Sequence, residues 1–315
     1  MRKIIFMGMP HHGNIGDQAI ALAEEELIKK YFPDFETVEF PEKTLLQSVV
    51  EKKSIINNND ILLMHGGGNI GDTYDVPENG RRAIIEMFPN NKIIVFPQTA
   101  HFDNIEELNK SKRIYNAHKD LTIMAREEKS YKFMKENFDK CKVYLTPDIV
   151  MTMKETLNCE RNNVLLMFRS DKEKTLSDDN QVKIMDMIKS IYGDYIKSDM
   201  HLGEDVTNIG EELRERTVRD KFKQLNTCKL VVTDRLHGMI FSAVTETPCI
   251  VFGSYTHKIK ESYKWLKNLE YIEFCEDIDS LEDKIIKVTS CKNKYYDSSF
   301  AEEKIMDVLN SEIKI

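Results

Sequence analysis

The chain has 315 residues, 41% of them apolar, and a formal net charge of −8. That length accommodates two domains of ordinary size, and the acidic balance argues against a general nucleic-acid binder, which carries a basic stripe. No apolar run approaches the roughly 20 residues that cross a bilayer, no secretory signal is expected from MRKIIFMGMPHHGN, and the six singly placed cysteines suit a reducing cytosol and not a structural metal.

Apolar, strand-like runs alternate with amphipathic helical segments along the whole chain. The predicted strands of the first half are KIIFMG, DILLMHGG, KIIVFPQT, LTIMARE and KVYLTPD, with helices DQAIALAEEELIKKYF, GRRAIIEMF and EEKSYKFMKENF between them. After a polar stretch at residues 158–163 the pattern restarts. Its strands are VLLMFRS, KLVVTDR, CIVFGS and the weaker YIEF, and its helices include DNQVKIMDMIKSIY, RERTVRDKFKQLN, GMIFSAVTE and IDSLEDKIIKVT. The lysine-rich HKIKESYKWLK reads as a solvated helix face, and SSFAEEKIMDVLNSEIKI as a final helix with a serine N-cap and an acidic first turn.

Strands this continuously apolar belong to parallel sheets covered by helices on both faces. The expected fold is α/β, with two Rossmann-like, doubly wound domains, residues 1–155 and 156–315, facing a cleft. Ligands of such sheets bind outside the carboxyl ends of the strands, so the chemistry is sought just after each strand.

The pentapeptide GNIGD occurs there twice, at Gly13–Asp17 and at Gly68–Asp72. Both copies are expected to be post-strand loops that face one cleft. In the first, Asp17 runs directly into a helix and is a candidate N-cap. The second, preceded by Gly66 and Gly67, is richer in glycine and is favoured for ligand contact. Neither copy matches a dinucleotide fingerprint or a Walker A loop.

The most informative stretch is VVTDRLHGMIFSAVTETPCIVFG. It places Arg235 and His237 between a buried strand and a helix N-terminus, a position that favours anions. Arginine grips carboxylate or phosphate bidentately, and histidine moves protons near neutral pH. Arg126 also follows a strand, although an ordinary ion pair with Glu127 or Glu128 competes with a functional reading. Arg169 is a weaker third candidate, and Asp148 reads as a turn cap. His11, His12 and His65 lie beside the glycine segments without metal-ligand spacing.

Together, GNIGDQAI, GGGNIGD, FPQT, AREEKSY, TPDIVM and TDRLHGMIFSAVTETPCI resemble the polysaccharide pyruvyl transferase family, in order, over roughly residues 10–255. The resemblance implies a GT-B-like pair of domains. It also implies transfer of the enolpyruvyl group of phosphoenolpyruvate onto a sugar, giving a cyclic ketal and phosphate without metal or other cofactor. In this sequence it places donor binding on Arg126, Arg235 and Gly238, and catalysis on His237 with Asp72 or Asp75. Asn14, Asp17, Gly67, Gly68 and Asn69 are expected to bind the acceptor or to shape the loops around it. It further implies a cytoplasmic enzyme of capsule or exopolysaccharide synthesis that works on an undecaprenyl-diphosphate-linked sugar at the inner face of the membrane, with a last helix packing back on the first domain. Two alternatives stay open at this point. One is a GT-B glycosyltransferase using a nucleotide sugar, and the other is a silent α/β binding protein. Acceptor identity and oligomeric state are not legible.

Overall fold

The computed structural model describes residues 2–171, 173–203 and 205–314, with the side chain of Asp75 also outside the description. The first half contributes β1 (Lys3–Met9), β2 (Glu36–Pro41), β3 (Ile61–Met64), β4 (Gly67–Gly71), β5 (Lys92–His101), β6 (Leu121–Ala125) and β7 (Lys142–Leu145). The second contributes β8 (Asn163–Met167), β9 (Ile196–Lys197), β10 (Cys228–Thr233), β11 (Cys249–Phe252) and β12 (Ile272–Cys275). The seven-stranded sheet runs β2-β1-β3-β5-β6-β7 with β4 also paired to β5, and the five-stranded sheet runs β12-β11-β10-β8-β9. Every paired register is parallel. The doubly wound, Rossmann-like expectation therefore holds for both sheets.

Alternation along each buried strand explains the layering, since successive side chains point to opposite faces. On β1, Ile5 and Met7 enter a core confined to the first half, whereas Ile4 and Phe6 enter one shared by both sheets. On β10, Leu230 and Val232 likewise face an outer core, while Val231 joins the shared one. Helices Ile15–Tyr31 and Glu211–Asn226 meet in that shared layer, which contains Ile20, Ile28, Val218 and Phe222. Fully buried Arg214 crosses the same seam to Gln18 at 3.2 Å, Glu39 at 3.1 Å and Glu25.

The final helix, Ser299–Glu312, lies against the Ile149–Thr152 turn. Its Glu312 pairs with Lys92 (2.6 Å) and Lys142 (2.8 Å) at the starts of β5 and β7. Ser298 stands at the N-cap but makes no capping bond through its side chain.

Two sequence readings change. HKIKESYKWLK is more than a solvated face: Lys260 and Lys264 are exposed, but the helix Lys258–Leu266 buries Ile259, Ser262 and Leu266 on its other side, and the Trp265 indole donates to the Arg126 carbonyl at 2.9 Å. The second GNIGD is not a loop. Its first four residues lie in β4, paired with the upper half of β5, where Gly67 sits beside Gln98 and Gly71 beside His101. Glycine and asparagine are poor strand formers in isolation, so neighbouring β5 imposes this conformation.

Candidate active site

The turn after β10 is built by one hydroxyl. Thr233 Oγ1 donates to the Met167 carbonyl (2.8 Å) and accepts from the Arg235 N–H (3.0 Å). A Cβ on Gly238 would stand 2.6 Å from that oxygen. Gly238 is thus the residue that lets the turn close against Thr233. Arg235 and His237 then project where the strand ends. The Arg235 guanidinium is held by Asp199 through two bonds of 2.9 Å and by Asp171 at 2.6 Å.

From the first half, buried Arg126 emerges at the end of β6. Its Nε donates to Thr99 Oγ1 and one terminal nitrogen to Asp148, both at 2.8 Å. Its partner is Asp148 and not Glu127 or Glu128; Glu127 instead binds Ser130 and lies 3.0 Å from His257. Asp148 does cap a turn, accepting from the Val150 N–H at 3.0 Å. It also stands 3.5 Å from His237 Nε2, so one carboxylate links Arg126 to the imidazole. Burial opposes its ionisation, but His237 and Arg126 outweigh burial and hold its pKa well below the usual carboxylate range.

These groups line a cleft of about 870 Å³ between the sheets. Arg126, Asn14, Asp17, Gly68 and Asn69 reach it from the first half; Arg169, Asp171, Glu173, Arg235, His237 and Lys258 reach it from the second. Burial resists the charge on Asp171, but Arg169 and Arg235 override it and bring its pKa to about 2. Asp234 faces the opposite balance. Its Oδ1 accepts from the Arg169 N–H at 2.8 Å, and burial lifts its pKa to about 6.

The first pentapeptide enters this cleft as a helix start. Asn14, not Asp17, is the N-cap, accepting from the Gly16 N–H at 3.0 Å, which leaves Asp17 on the cleft wall. A segment of the second half clasps the loop through backbone bonds from Ile15 to Met200 (2.8 Å), Leu202 to Gly13 (2.9 Å) and Ile209 to His11 (3.0 Å). Gly16 lies directly against the imidazole, and a Cβ there would stand 2.2 Å from His237 Nδ1.

The second pentapeptide meets the cleft through Gly68 and Asn69 only. A Cβ on Gly68 would lie 2.7 Å from Arg126, so this glycine makes room for the guanidinium. Gly67 adopts φ +122° in β4. Asp72 is turned elsewhere: its carboxylate accepts from the Asp103 N–H at 3.0 Å and from the Asn104 N–H, in a separate surface groove beside Arg82 and Glu107. A catalytic role for Asp72 in the cleft is therefore corrected to a loop-anchoring one. Asp75 opens the helix Asp75–Met87, and its side chain lies outside the described residues.

His11 and His12 line the cleft, whereas His65 is buried against Glu24 at 3.0 Å. Among the described residues no group of three or more His, Cys, Asp or Glu is arranged to hold a metal ion. Among them, too, no helix is long and apolar enough to cross a membrane. The sequence reading missed Gly16, Lys258, Asp171 and Glu173. Only Gly16 left a signal there, as a glycine kept inside a helix where alanine is the better former.

The sequence matches the family described as polysaccharide pyruvyl transferase over residues 14–255, from the first pentapeptide to just beyond β11. General stress protein 30 of Bacillus subtilis (strain 168) is 36% identical over 98% of this chain and 92% of its own length. Pyruvyl transferase 1 of Schizosaccharomyces pombe (strain 972 / ATCC 24843) is 28% identical over 80% of this chain, which spans 66% of that protein. Among solved structures, the UDP-GlcNAc 2-epimerase of Methanocaldococcus jannaschii superposes with a TM-score of 0.52 at 12% identity, covering 99% of this chain and 100% of that one. That likeness concerns the GT-B-like fold alone. The match spans the cleft residues of both sheets up to Arg235 and His237, and the chain belongs to the polysaccharide pyruvyl transferase family of enzymes.

Proposed function

We propose that this enzyme transfers the enolpyruvyl group of phosphoenolpyruvate onto two hydroxyls of one sugar in a lipid-linked polysaccharide precursor. The observation that carries the reading is the convergence of Arg126, Arg169, Arg235 and Lys258 around the His237 imidazole in one cleft. Phosphoenolpyruvate presents a carboxylate and a phosphate close together, and guanidinium groups suit both.

In this reading His237 delivers a proton to the methylene carbon, and a sugar hydroxyl bonds to the neighbouring carbon as that carbon becomes electrophilic. The bond from that carbon to the phosphate oxygen then breaks, and phosphate departs. A second hydroxyl closes the ketal. Of the two hydroxyl protons, one balances the new methyl group and the other leaves with phosphate. Asp148 orients the imidazole through the 3.5 Å contact. Asp17, on the cleft wall of the first half, is the carboxylate assigned to the acceptor hydroxyl in place of Asp72. The first half thus serves mainly the acceptor and the second the donor, with Arg126 reaching across. An acceptor carried on a lipid diphosphate brings the enzyme to the inner face of the membrane as a peripheral protein.

Calorimetric titration of phosphoenolpyruvate against UDP- and GDP-sugars tests the reading. Wild-type binding of phosphoenolpyruvate that is lost in Arg235→Ala supports it. Binding of a nucleotide sugar with no response to phosphoenolpyruvate overturns it in favour of glycosyl transfer.

A further inference from the structure

His65 and Glu24 form a buried pair behind the first-half wall of the cleft. The imidazole Nδ1 stands 3.0 Å from one carboxylate oxygen, and the other accepts from the Gly66 N–H at 2.8 Å. Burial alone would lower the His65 pKa, but Glu24, joined by Asp17 and Glu42, carries it above the ordinary value. The ring therefore favours its charged form, in which both nitrogens donate. Nε2, however, is buried and has no hydrogen-bond partner among the described residues. Arg81 repeats the pattern. Its terminal nitrogens reach Asn69 and Glu78, and its Nε is buried without a partner among the same residues. The two residues are only 7% and 4% exposed. A buried donor left unmatched costs its full desolvation penalty, and the fold itself gains nothing from two of them.

What the two residues share is a cavity. His65 and Arg81 line a space of about 30 Å³, room for about one water-sized group. Glu42, Asn69, Val76 and Pro77 line both this cavity and the cleft, so it is a side pocket of the cleft's first-half wall. An occupant has to be small and to accept hydrogen bonds. It also has to be uncharged, because Glu24, Glu42, Asp17 and Glu78 already outnumber the two cations. A hydroxyl meets all three demands, with its oxygen accepting and its own proton available to the Glu42 carboxylate. The pocket lies away from the reacting centre. Gly16 sits against His237, and Glu24 follows eight residues later on the helix Ile15–Tyr31, about 12 Å along its axis at 1.5 Å per residue.

We propose that this side pocket is a specificity site for the acceptor saccharide, in which His65 Nε2 and Arg81 Nε hold the oxygen of one non-reacting hydroxyl. This inference rests on the reading that the first half serves the acceptor, and it names what that half recognises. A site built to hydrogen-bond a hydroxyl rejects the analogue that lacks it, because its buried donors are then left unpaired. A cavity of this size also has no room for an acetamido group at the same place. Glu24 is a positioning residue here, since it acts through the ring of His65.

Two substitutions separate recognition from folding. His65→Asn keeps an amide near the Nδ1 position, facing Glu24, and removes Nε2. His65→Gln places an amide nitrogen near the Nε2 position and gives up the bond to Glu24. Phosphate release from phosphoenolpyruvate is measured with a lipid extract of the producing cells as acceptor, alongside calorimetric phosphoenolpyruvate binding and urea unfolding. His65→Asn is expected to raise the acceptor KM by about 10- to 100-fold, the range of a hydrogen bond from a charged group, at unchanged phosphoenolpyruvate affinity. His65→Gln recovers most of that loss yet unfolds at lower urea. Arg81→Lys keeps a cation beside Glu78 but lacks Nε, and is expected to raise the acceptor KM by about 10-fold. Greater impairment in His65→Gln than in His65→Asn marks a merely structural histidine and overturns the inference. So does a wild-type KM in Arg81→Lys, the variant that decides if the His65 variants fail to fold. Either failure, with wild-type phosphate release intact, leaves the substrate reading standing. Wild type that releases no phosphate with the extract overturns that reading itself.

Discussion

The two GNIGD segments are identical in sequence and different in everything the fold makes of them. In the first, Asn14 caps a helix and Gly16 sits in its first turn beneath His237. In the second, Asn69 lies in a strand, where its N–H donates to Gln98 Oε1 at 3.1 Å and its carbonyl accepts from Arg81 at 3.3 Å. The first aspartate faces the cleft and the second anchors a distant loop. Five residues do not carry a conformation of their own. What surrounds them does: a clasping backbone from the second half in one case, the upper half of β5 in the other. The copies are also joined, because Glu24, on the helix opened by the first, accepts from the Gly66 N–H at 2.8 Å just before the second.

The sharpest way to break this comparison is to put a Cβ on the second glycine of each copy. On Gly71, with φ +148°, it would lie 1.7 Å from the His101 carbonyl oxygen, with backbone on both sides of the clash. Gly71→Ala is expected to cost about 4 kcal/mol or more, among the largest single-substitution effects, read as a shift of the denaturant midpoint. A wild-type midpoint would mean that sheet pairing does not set the second copy.

Gly16→Ala tests the other copy with the opposite signature. The clash here is with the His237 side chain and not with backbone, so the chain is expected to fold while the new methyl displaces the imidazole. Turnover is expected to fall by about 10²- to 10⁴-fold, the usual contribution of a positioned acid or base, with phosphoenolpyruvate affinity nearly intact. Undiminished phosphate release would remove His237 from the mechanism.

The aspartates sharpen the contrast further. Asp17→Asn should lower kcat by about 10²-fold if it serves the acceptor. Asp72→Asn should leave kinetics alone and lower stability by about 1 to 3 kcal/mol through its bonds to Asp103 and Asn104. Equal kinetic losses would place both copies in the chemistry.

A smaller effect comes from Asn14→Ala, which removes the cap and should lower stability by about 1 kcal/mol, with no such helix to unravel at Asn69. The smallest concerns pH. Burial alone would lower the His65 pKa, but the Glu24 carboxylate raises it above the ordinary value. A group whose folded pKa is raised stabilises the fold below its unfolded pKa, about 6.5 for histidine. That contribution declines as pH climbs through the higher folded value. Thermal unfolding of wild type should therefore lose stability over that interval, and His65→Gln should lack this component.

Much of the fold was legible because its signal is local. Buried parallel strands are continuous apolar runs, and Leu121–Ala125 or Cys228–Thr233 read as such without a structure. Arg235 and His237 were legible for a related reason: polar chemistry directly after a buried strand has few structural uses. The elements that escaped lack such a signal. β4 is glycine-rich and β2 is half exposed; the helix Lys258–Leu266 was legible as a helix, but its buried side is hidden among lysines. That a Cβ on Gly238 would meet Thr233 was not legible, because a glycine at a helix start looks the same whatever it clears space for. Lys258 and Glu173 could not be paired in advance, since their partnership depends on where a helix start and a loop 85 positions apart in number meet.

By itself, the sequence determined the two parallel α/β sheets, the order of the motifs and the family, all properties written in local periodicity and in short residue patterns. Only the tertiary structure decided which of two identical pentapeptides becomes a helix cap and which a strand. It also decided which aspartate faces the cleft, and that Asp148 joins Arg126 to His237. These are contacts between segments remote in the chain. Their energies arise from burial, charge and hydrogen bonding across the seam, and no local propensity encodes them.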